Sequence, residues 1–255
     1  MQAYNNTSRR RFLKDASLAG LFSMSIPSIV TAAYREEKVK KIALQQGDAV
    51  LFQGDSITDA GRKKDEKGFN NTAALGSGYA MLAGSELLLH HAGKELKVYN
   101  KGISGNKVYQ LAERWDADCL ELQPKVLSIL IGVNDFWHTL TGGYKGTIET
   151  YRNDFTALID RTKQKLPGLQ LIIGEPFAVS GIKAVDEKWY PAFNDYRQAA
   201  RELADKYKAV FIPYQNIFDK AQKEAPGAYW TGDGVHPTLA GAKLMAQAWL
   251  EAVKG

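Results

Sequence analysis

From about residue 34 onward, short apolar runs alternate with longer stretches of helical period. Strand-like runs fall at 49–53, 97–100, 126–131, 169–174 and 209–212. Their apolar stretches suit strands covered on both faces of a parallel sheet. Helix-period segments lie between them, at 78–92, 106–119, 147–165 and 190–207, with a last one at 238–253. Pro167-Gly168 stops the third helix just ahead of a strand, and Pro237 is expected at a first helical turn. Regular alternation of this kind predicts one doubly wound α/β domain, a three-layer α/β/α sandwich on a five-stranded parallel sheet. No internal repeat or low-complexity linker divides it. The irregular stretches 57–77, 136–146, 175–189 and 225–237 mostly follow strands. They should therefore gather over the carboxyl edge of the sheet, where ligands bind in this architecture.

Composition narrows the class further. The chain has 255 residues, 45% apolar, 24% charged and 11% aromatic, which excludes a disordered or fibrous protein. Cys119 is the single cysteine, so an internal disulfide and a cysteine-cluster metal site are both excluded. The net charge of +5 hints at a polyanionic partner. Residues 1–33, however, hold Arg9, Arg10, Arg11 and Lys14 against Asp15, so most of the excess sits there. The remainder is close to neutral, and nothing in it calls for a nucleic-acid partner.

That amino-terminal stretch has a cationic head, a modest apolar segment at 16–33 and a small-residue end, Thr31-Ala32-Ala33. These are the parts of a secretory signal. A basic amphipathic helix or an uncleaved membrane anchor is the plainer alternative. A spanning helix needs about 20 strongly apolar residues, and this segment is shorter and rich in Ser, Gly and Pro. The string Ser8-Arg9-Arg10-Arg11-Phe12-Leu13-Lys14 resembles the bacterial twin-arginine export signal. The expected organisation is a leader at 1–33, cleaved near Ala33 after passage through the twin-arginine machinery, and a single domain at 34–255. The product would be periplasmic or secreted. No cysteine lies near the cleavage region, which argues against a lipid anchor.

Candidate chemistry sits at the strand ends. The first strand runs into Gly54-Asp55-Ser56. A serine just beyond a buried strand is placed well for a nucleophile, but Ser and Asp are equally favoured as helix caps. Of the four histidines, His90 and His91 end a helix and His138 follows a strand. His236 lies in Asp233-Gly234-Val235-His236-Pro237. Asp233, three residues earlier, could hold the ring through Nδ1 and leave Nε2 for a serine; a capped turn with a satisfied loop histidine has the same sequence. Asn134 ends the third strand in Ile131-Gly132-Val133-Asn134-Asp135. Gly105 follows the second strand and can present its backbone N–H without obstruction. Acyl transfer needs donors aimed at a developing oxyanion, and the Ser56 and Gly105 N–H groups with the Asn134 amide would supply three.

These pieces together carry a resemblance. Gly54-Asp55-Ser56, Gly105, Gly132-x-Asn134-Asp135 and Asp233-x-x-His236 match, in order, the four blocks of the SGNH (GDSL-type) hydrolases. The strings at 54–62, 76–79, 100–106 and 131–137, with Arg114-Trp115, resemble the branch of bacterial acetylxylan esterases and related carbohydrate deacetylases. The resemblance implies Ser56 as nucleophile, His236 as base, Asp233 as its orienter, and Ser56, Gly105 and Asn134 as the oxyanion hole, with no metal or cofactor. It implies hydrolysis of a short acyl ester, acetyl first, on a small or oligosaccharide substrate. Homo-oligomers occur in the family. One departure is that two residues, Thr231 and Gly232, separate Trp230 from Asp233, whereas an aromatic adjoins that aspartate in an acetylxylan esterase of the branch.

Trp137, Tyr144, Phe177, Tyr229 and Trp230 are the expected substrate-facing aromatics; rings at loop ends also serve simply as packing. Three rivals remain. The same triad serves lysophospholipases and thioesterases; Asp55, Asp233 and His236 could instead form a metal-dependent phosphoesterase site; and the chain could be a non-catalytic glycan-binding module.

Overall fold

The computed structural model describes residues 26–35 and 41–254. Helix α1 (Ile26–Arg35) precedes β1 (Ile42–Ala43), β2 (Ala49–Gly54) and two single-turn helices, α2 (Ser56–Asp59) and α3 (Thr72–Leu75). Helix α4 (Tyr79–His90) leads to β3 (Lys97–Asn100), and α5 (Val108–Glu113) to β4 (Val126–Leu130). Next come α6 (Val133–Thr141), α7 (Ile148–Lys165), β5 (Gln170–Gly174), α8 (Phe193–Tyr207) and β6 (Val210–Ile212). The chain closes with α9 (Tyr214–Ala221), α10 (Gly227–Trp230), α11 (Leu239–Glu251) and β7 (Val253–Lys254).

Strands β3-β2-β4-β5-β6 form the expected five-stranded sheet in that order, all neighbours parallel. Every residue of β2 and β4 is buried, which is why their sequences read as apolar runs rather than alternating ones. On one face, Phe52 packs 4.7 Å from the Trp249 ring of α11 and 5.8 Å from Tyr79 of α4. On the other, Trp115 donates its indole N–H to Thr162 of α7 at 2.8 Å. Because β3 and β4 lie on opposite sides of β2, the direction of winding reverses there. A crevice opens at the carboxyl ends of β2 and β4.

Three local features differ from the sequence reading. The stretch at 136–146 begins inside a helix, α6, which starts at Val133; its nine residues are too few to show a clear period. Pro237 stands one position ahead of the α11 cap, which is Thr238, whose hydroxyl accepts from the Gly241 N–H at 3.2 Å. A small parallel pairing of β1 with β7 joins the start of the domain to its end.

Helix α1 packs on α9 and α11. Ile29, Val30 and Ala33 are buried there, and the Tyr34 hydroxyl donates to the Ala248 carbonyl at 2.7 Å. The expected leader boundary after residue 33 therefore falls within a docked helix. The arginine string at 9–14 lies outside the described residues. No helix among the described residues is long and apolar enough to cross a membrane.

Candidate active site

Strand β2 turns into α2 through Gly54, where a Cβ would stand 2.3 Å from the Leu130 carbonyl oxygen and 2.4 Å from the Thr58 hydroxyl. Only glycine fits that passage. Asp55 is the cap of α2, its Oδ1 accepting from the Ile57 N–H at 3.0 Å. The two readings of Gly-Asp-Ser are thus divided between neighbours: Asp55 caps, and the Ser56 hydroxyl is left free of the helix.

That hydroxyl lies 2.8 Å from His236 Nε2. His236 Nδ1 lies 2.7 Å from Asp233 Oδ2, while Asp233 Oδ1 accepts from the His236 and Val235 N–H groups at 2.7 and 2.9 Å. A carboxylate at Nδ1 places the ring proton there, so Nε2 faces Ser56 as an acceptor. Partial burial pushes the Asp233 carboxyl up, but the hydrogen bonds from His236 and Val235 outweigh it and hold the group below the usual carboxylate range. The histidine loop is pinned at its base, where Thr231 bridges Pro237 and the Gly232 N–H donates to the His236 carbonyl at 2.8 Å.

The other candidate oxyanion donors come from the loop after β3 and from the start of α6. Gly105 has φ +81°, and no acceptor for its N–H or for that of Ser56 is present among the described residues. Its loop is stapled to the β2–α2 turn: Ile103 N–H donates to the Gly54 carbonyl at 3.1 Å, and Asp59 Oδ2 accepts from the N–H and hydroxyl of Ser104 at 2.9 and 2.8 Å. Asn100 adds bonds to the carbonyls of Thr58 and Leu75, and Arg62 donates to the Gly102 carbonyl at 2.7 Å. Arg114 holds the far side, donating to Asn106 Oδ1 and to the Lys101 carbonyl. Asn134, in the first turn of α6, donates to the Asn106 carbonyl at 3.2 Å and has a second amide hydrogen to offer. Next to it, Asp135 accepts from the Val108 N–H at 3.1 Å. Burial pushes the carboxyls of Asp55 and Asp135 up to about 7.

A cavity of about 440 Å³ opens beside Ser56 and His236, walled by Ala60, Gly78, Tyr79 and Leu239. Of the aromatics expected to face substrate, Trp137 stands at the site, its ring 6.2 Å from His236 and 5.6 Å from Trp189. Tyr144 stacks on Tyr109 at 6.0 Å, along the loop that follows α6. Tyr229 is exposed and edge-on to Trp230, and it is not among the residues that wall the cavity. Phe177 is fully buried against Phe218 and Tyr214, so its ring belongs to the core and not to a pocket wall. Trp230 is likewise buried, its indole N–H shared by the carbonyls of Ala221 and Ala225. It anchors the histidine loop from below, and the position adjoining Asp233 is the glycine Gly232. Asp59, Arg62 and Asn100 escaped the sequence reading as individual residues. Their signal was present, since all three fall in the strings at 54–62 and 100–106.

Among the described residues no group of three or more His, Cys, Asp or Glu side chains stands close enough to hold a metal ion. Asp55 is fully buried and its Oδ1 is occupied by Ile57, so it does not join Asp233 and His236 at the pocket.

Comparison with known proteins agrees with this geometry. Residues 52–244 match the GDSL-like Lipase/Acylhydrolase family. An acetylxylan esterase of Geobacillus stearothermophilus is 31% identical over 211 residues, covering 81% of this chain and 94% of that protein. The crystal structure of the Geobacillus acetylxylan esterase Axe2 superposes with a TM-score of 0.74 at 30% identity, over 83% of this chain and 96% of that one. A protein described as a GDSL-like lipase, from Parabacteroides merdae, superposes with a TM-score of 0.82 at 53% identity, over 84% of this chain and 98% of that one. The chain belongs to the GDSL-like lipase/acylhydrolase family, the SGNH hydrolases, and is a serine-type carboxylic ester hydrolase.

Proposed function

We propose that this hydrolase removes acetyl groups from acetylated carbohydrate through an acyl-enzyme on Ser56. The observation that carries the reading is the continuous hydrogen-bonded chain Ser56–His236–Asp233 at 2.8 and 2.7 Å, set at the reversal point of the sheet. His236 Nε2 takes the serine proton as Oγ attacks the ester carbonyl. The tetrahedral oxyanion is held by the N–H groups of Ser56 and Gly105 and the Asn134 amide. His236, charged for the moment and steadied by Asp233, returns the proton to the leaving alcohol. Water then enters as the second nucleophile, deprotonated by His236, and as the acyl C–Oγ bond breaks His236 returns that proton to Ser56 Oγ and the acid leaves. No metal or cofactor is needed for any of these steps.

The acetyl-carbohydrate assignment is supported by the likeness to acetylxylan esterases. Acetate release from a panel of acetylated xylan, pectin fragments and monosaccharides, with p-nitrophenyl esters from C2 to C12, tests it. Release confined to C2–C4 esters and acetylated sugars is expected. Preference for C8 or longer would assign the chain to the lysophospholipase or thioesterase side of the family. Residues 1–33 are proposed as a twin-arginine export leader on the strength of the 8–14 string, placing the enzyme in the periplasm or outside the cell. Amino-terminal sequencing of the exported protein checks this, and Met1 still in place would overturn it.

A further inference from the structure

Lys107 is a nearly buried ammonium without an acidic partner in contact. The residue is 7% exposed, and no carboxylate of the described residues lies within ion-pair distance of Nζ. Its hydrogen-bond partner is a neutral ring nitrogen, His138 Nδ1, at 3.0 Å. The rings of Tyr144 and Tyr109 stand 5.1 and 5.7 Å from Nζ. Asp135 acts on it through space, but its Oδ1 is taken by the Val108 N–H, its Oδ2 is buried without a hydrogen-bond partner, and burial pushes the carboxyl up to about 7. Burying a charge without an opposite one is expensive. Cation–π contact with two tyrosines offsets part of the cost, and an anion arriving from outside would offset the rest.

The position of this ammonium connects it to catalysis. Lys107 follows Asn106, whose carbonyl accepts from Asn134, and His138 follows Trp137, whose ring faces His236. The pair therefore rides on the loop that carries Gly105 and on the helix, α6, that carries Asn134. Because Lys107 donates to Nδ1, the ring proton of His138 must sit on Nε2, which makes a second donor. Tyr109, stacked on Tyr144 and partly exposed, provides a flat apolar face alongside, while the Tyr144 ring is also packed against Gly146.

We propose that Lys107 and His138, walled by Tyr109 and Tyr144, form a subsite for the carboxylate of an acidic sugar, so that the preferred ester is an acetylated oligosaccharide carrying a uronic acid. The carboxylate takes one hydrogen bond from each donor and neutralises the ammonium, while a pyranose face lies on a tyrosine. A neutral sugar hydroxyl would leave the charge uncompensated, and a small inorganic anion would make no use of the rings. The proposal rests on the ester-hydrolase reading above, and its test is separable from it.

The experiment compares kcat/KM for acetate release from acetylated oligosaccharides with and without a uronic acid, otherwise matched, using the full enzyme at low and high ionic strength. A charge-assisted contact predicts a preference of about tenfold for the acidic substrate, expressed in KM and shrinking as salt is added. Unacetylated uronate oligosaccharides should compete better than neutral ones, a readout that needs no variant. In Lys107→Met the ratio of acidic to neutral kcat/KM should fall toward one, and Lys107→Arg should keep part of it. Equal rates for the two substrates in the wild-type enzyme, or a Lys107→Met variant with the ratio intact, would overturn the subsite. Loss of p-nitrophenyl acetate turnover in Ser56→Ala marks the hydrolase reading independently, so failure of one is not failure of the other.

Discussion

Asp59 accepts both the backbone N–H and the hydroxyl of Ser104 through a single carboxylate oxygen, at 2.9 and 2.8 Å. The last residue of the nucleophile's helix is thereby tied to the residue just before Gly105. Nucleophile and oxyanion donor follow different strands, and this pair of bonds, together with that from the Ile103 N–H to the Gly54 carbonyl, holds the distance between them. Replacing Asp59 by Ala should lower kcat on p-nitrophenyl acetate by about tenfold or more while KM moves little. An oxyanion donor displaced by a fraction of an ångström loses part of the 10²–10³ that such a donor supplies, on the order of several-fold to a hundredfold. Equal changes in kcat and KM would point instead to general loosening of the pocket.

Asn134 offers its side-chain amide directly, so its loss should be more severe. Asn134→Ala is expected to reduce kcat by roughly 10²–10³ with the fold retained. Steady-state kinetics together with a thermal melt separate this outcome from unfolding. A decrease under threefold would remove Asn134 from the oxyanion hole.

Stability should depend on pH in two opposed ways. Asp135 is raised to about 7 in the folded chain by burial, so between roughly pH 4 and 7 the folded protein holds a proton that the unfolded chain has released. Folding is therefore penalised progressively as pH rises through that window, and the penalty levels off above it. Asp233 is shifted the other way, so its contribution is present above the ordinary carboxylate range and lost as pH falls below it. In Asp135→Asn the decline between pH 4 and 7 should flatten, leaving a contribution from Asp55, which is raised to about 7 by the same cause. Urea midpoints across pH 4–8 for wild type and variant measure it, and parallel curves would show that Asp135 does not titrate in this window.

Helix α1 buries Ile29 and Val30 at 1% exposure and Ala33 fully. Burial of a Val or Ile side chain contributes about 1.5–3 kcal/mol, as an upper figure. One kcal/mol corresponds to about 2–4 °C in a domain of this size. A chain beginning at residue 34 should accordingly melt about 5–10 °C below the full-length protein and bind more of an apolar dye. Identical melting curves would show that the helix adds nothing to the stability of the domain.

The sequence by itself determined the layers, the strand positions and the four ordered blocks. Buried parallel strands must be apolar throughout, and the turns into their helices need particular residues, such as Gly54, where no Cβ fits. Helices with well-marked ends were legible for the same reason: α7 starts at its Thr147 cap and finishes just ahead of Pro167. Short elements were not, since α6 and α2 complete too few turns to show a period. The choice among aromatics was also hidden. Phe177 and Trp230 read like Trp137, yet the first two fill the core and the third faces His236. Which side of a loop points inward depends on chain segments far away in sequence. Only the tertiary structure brought Asp59 to Ser104 and Lys107 to His138, because those contacts join helices α2 and α6 to the loop after β3, and the sheet order, not the local sequence, places them side by side.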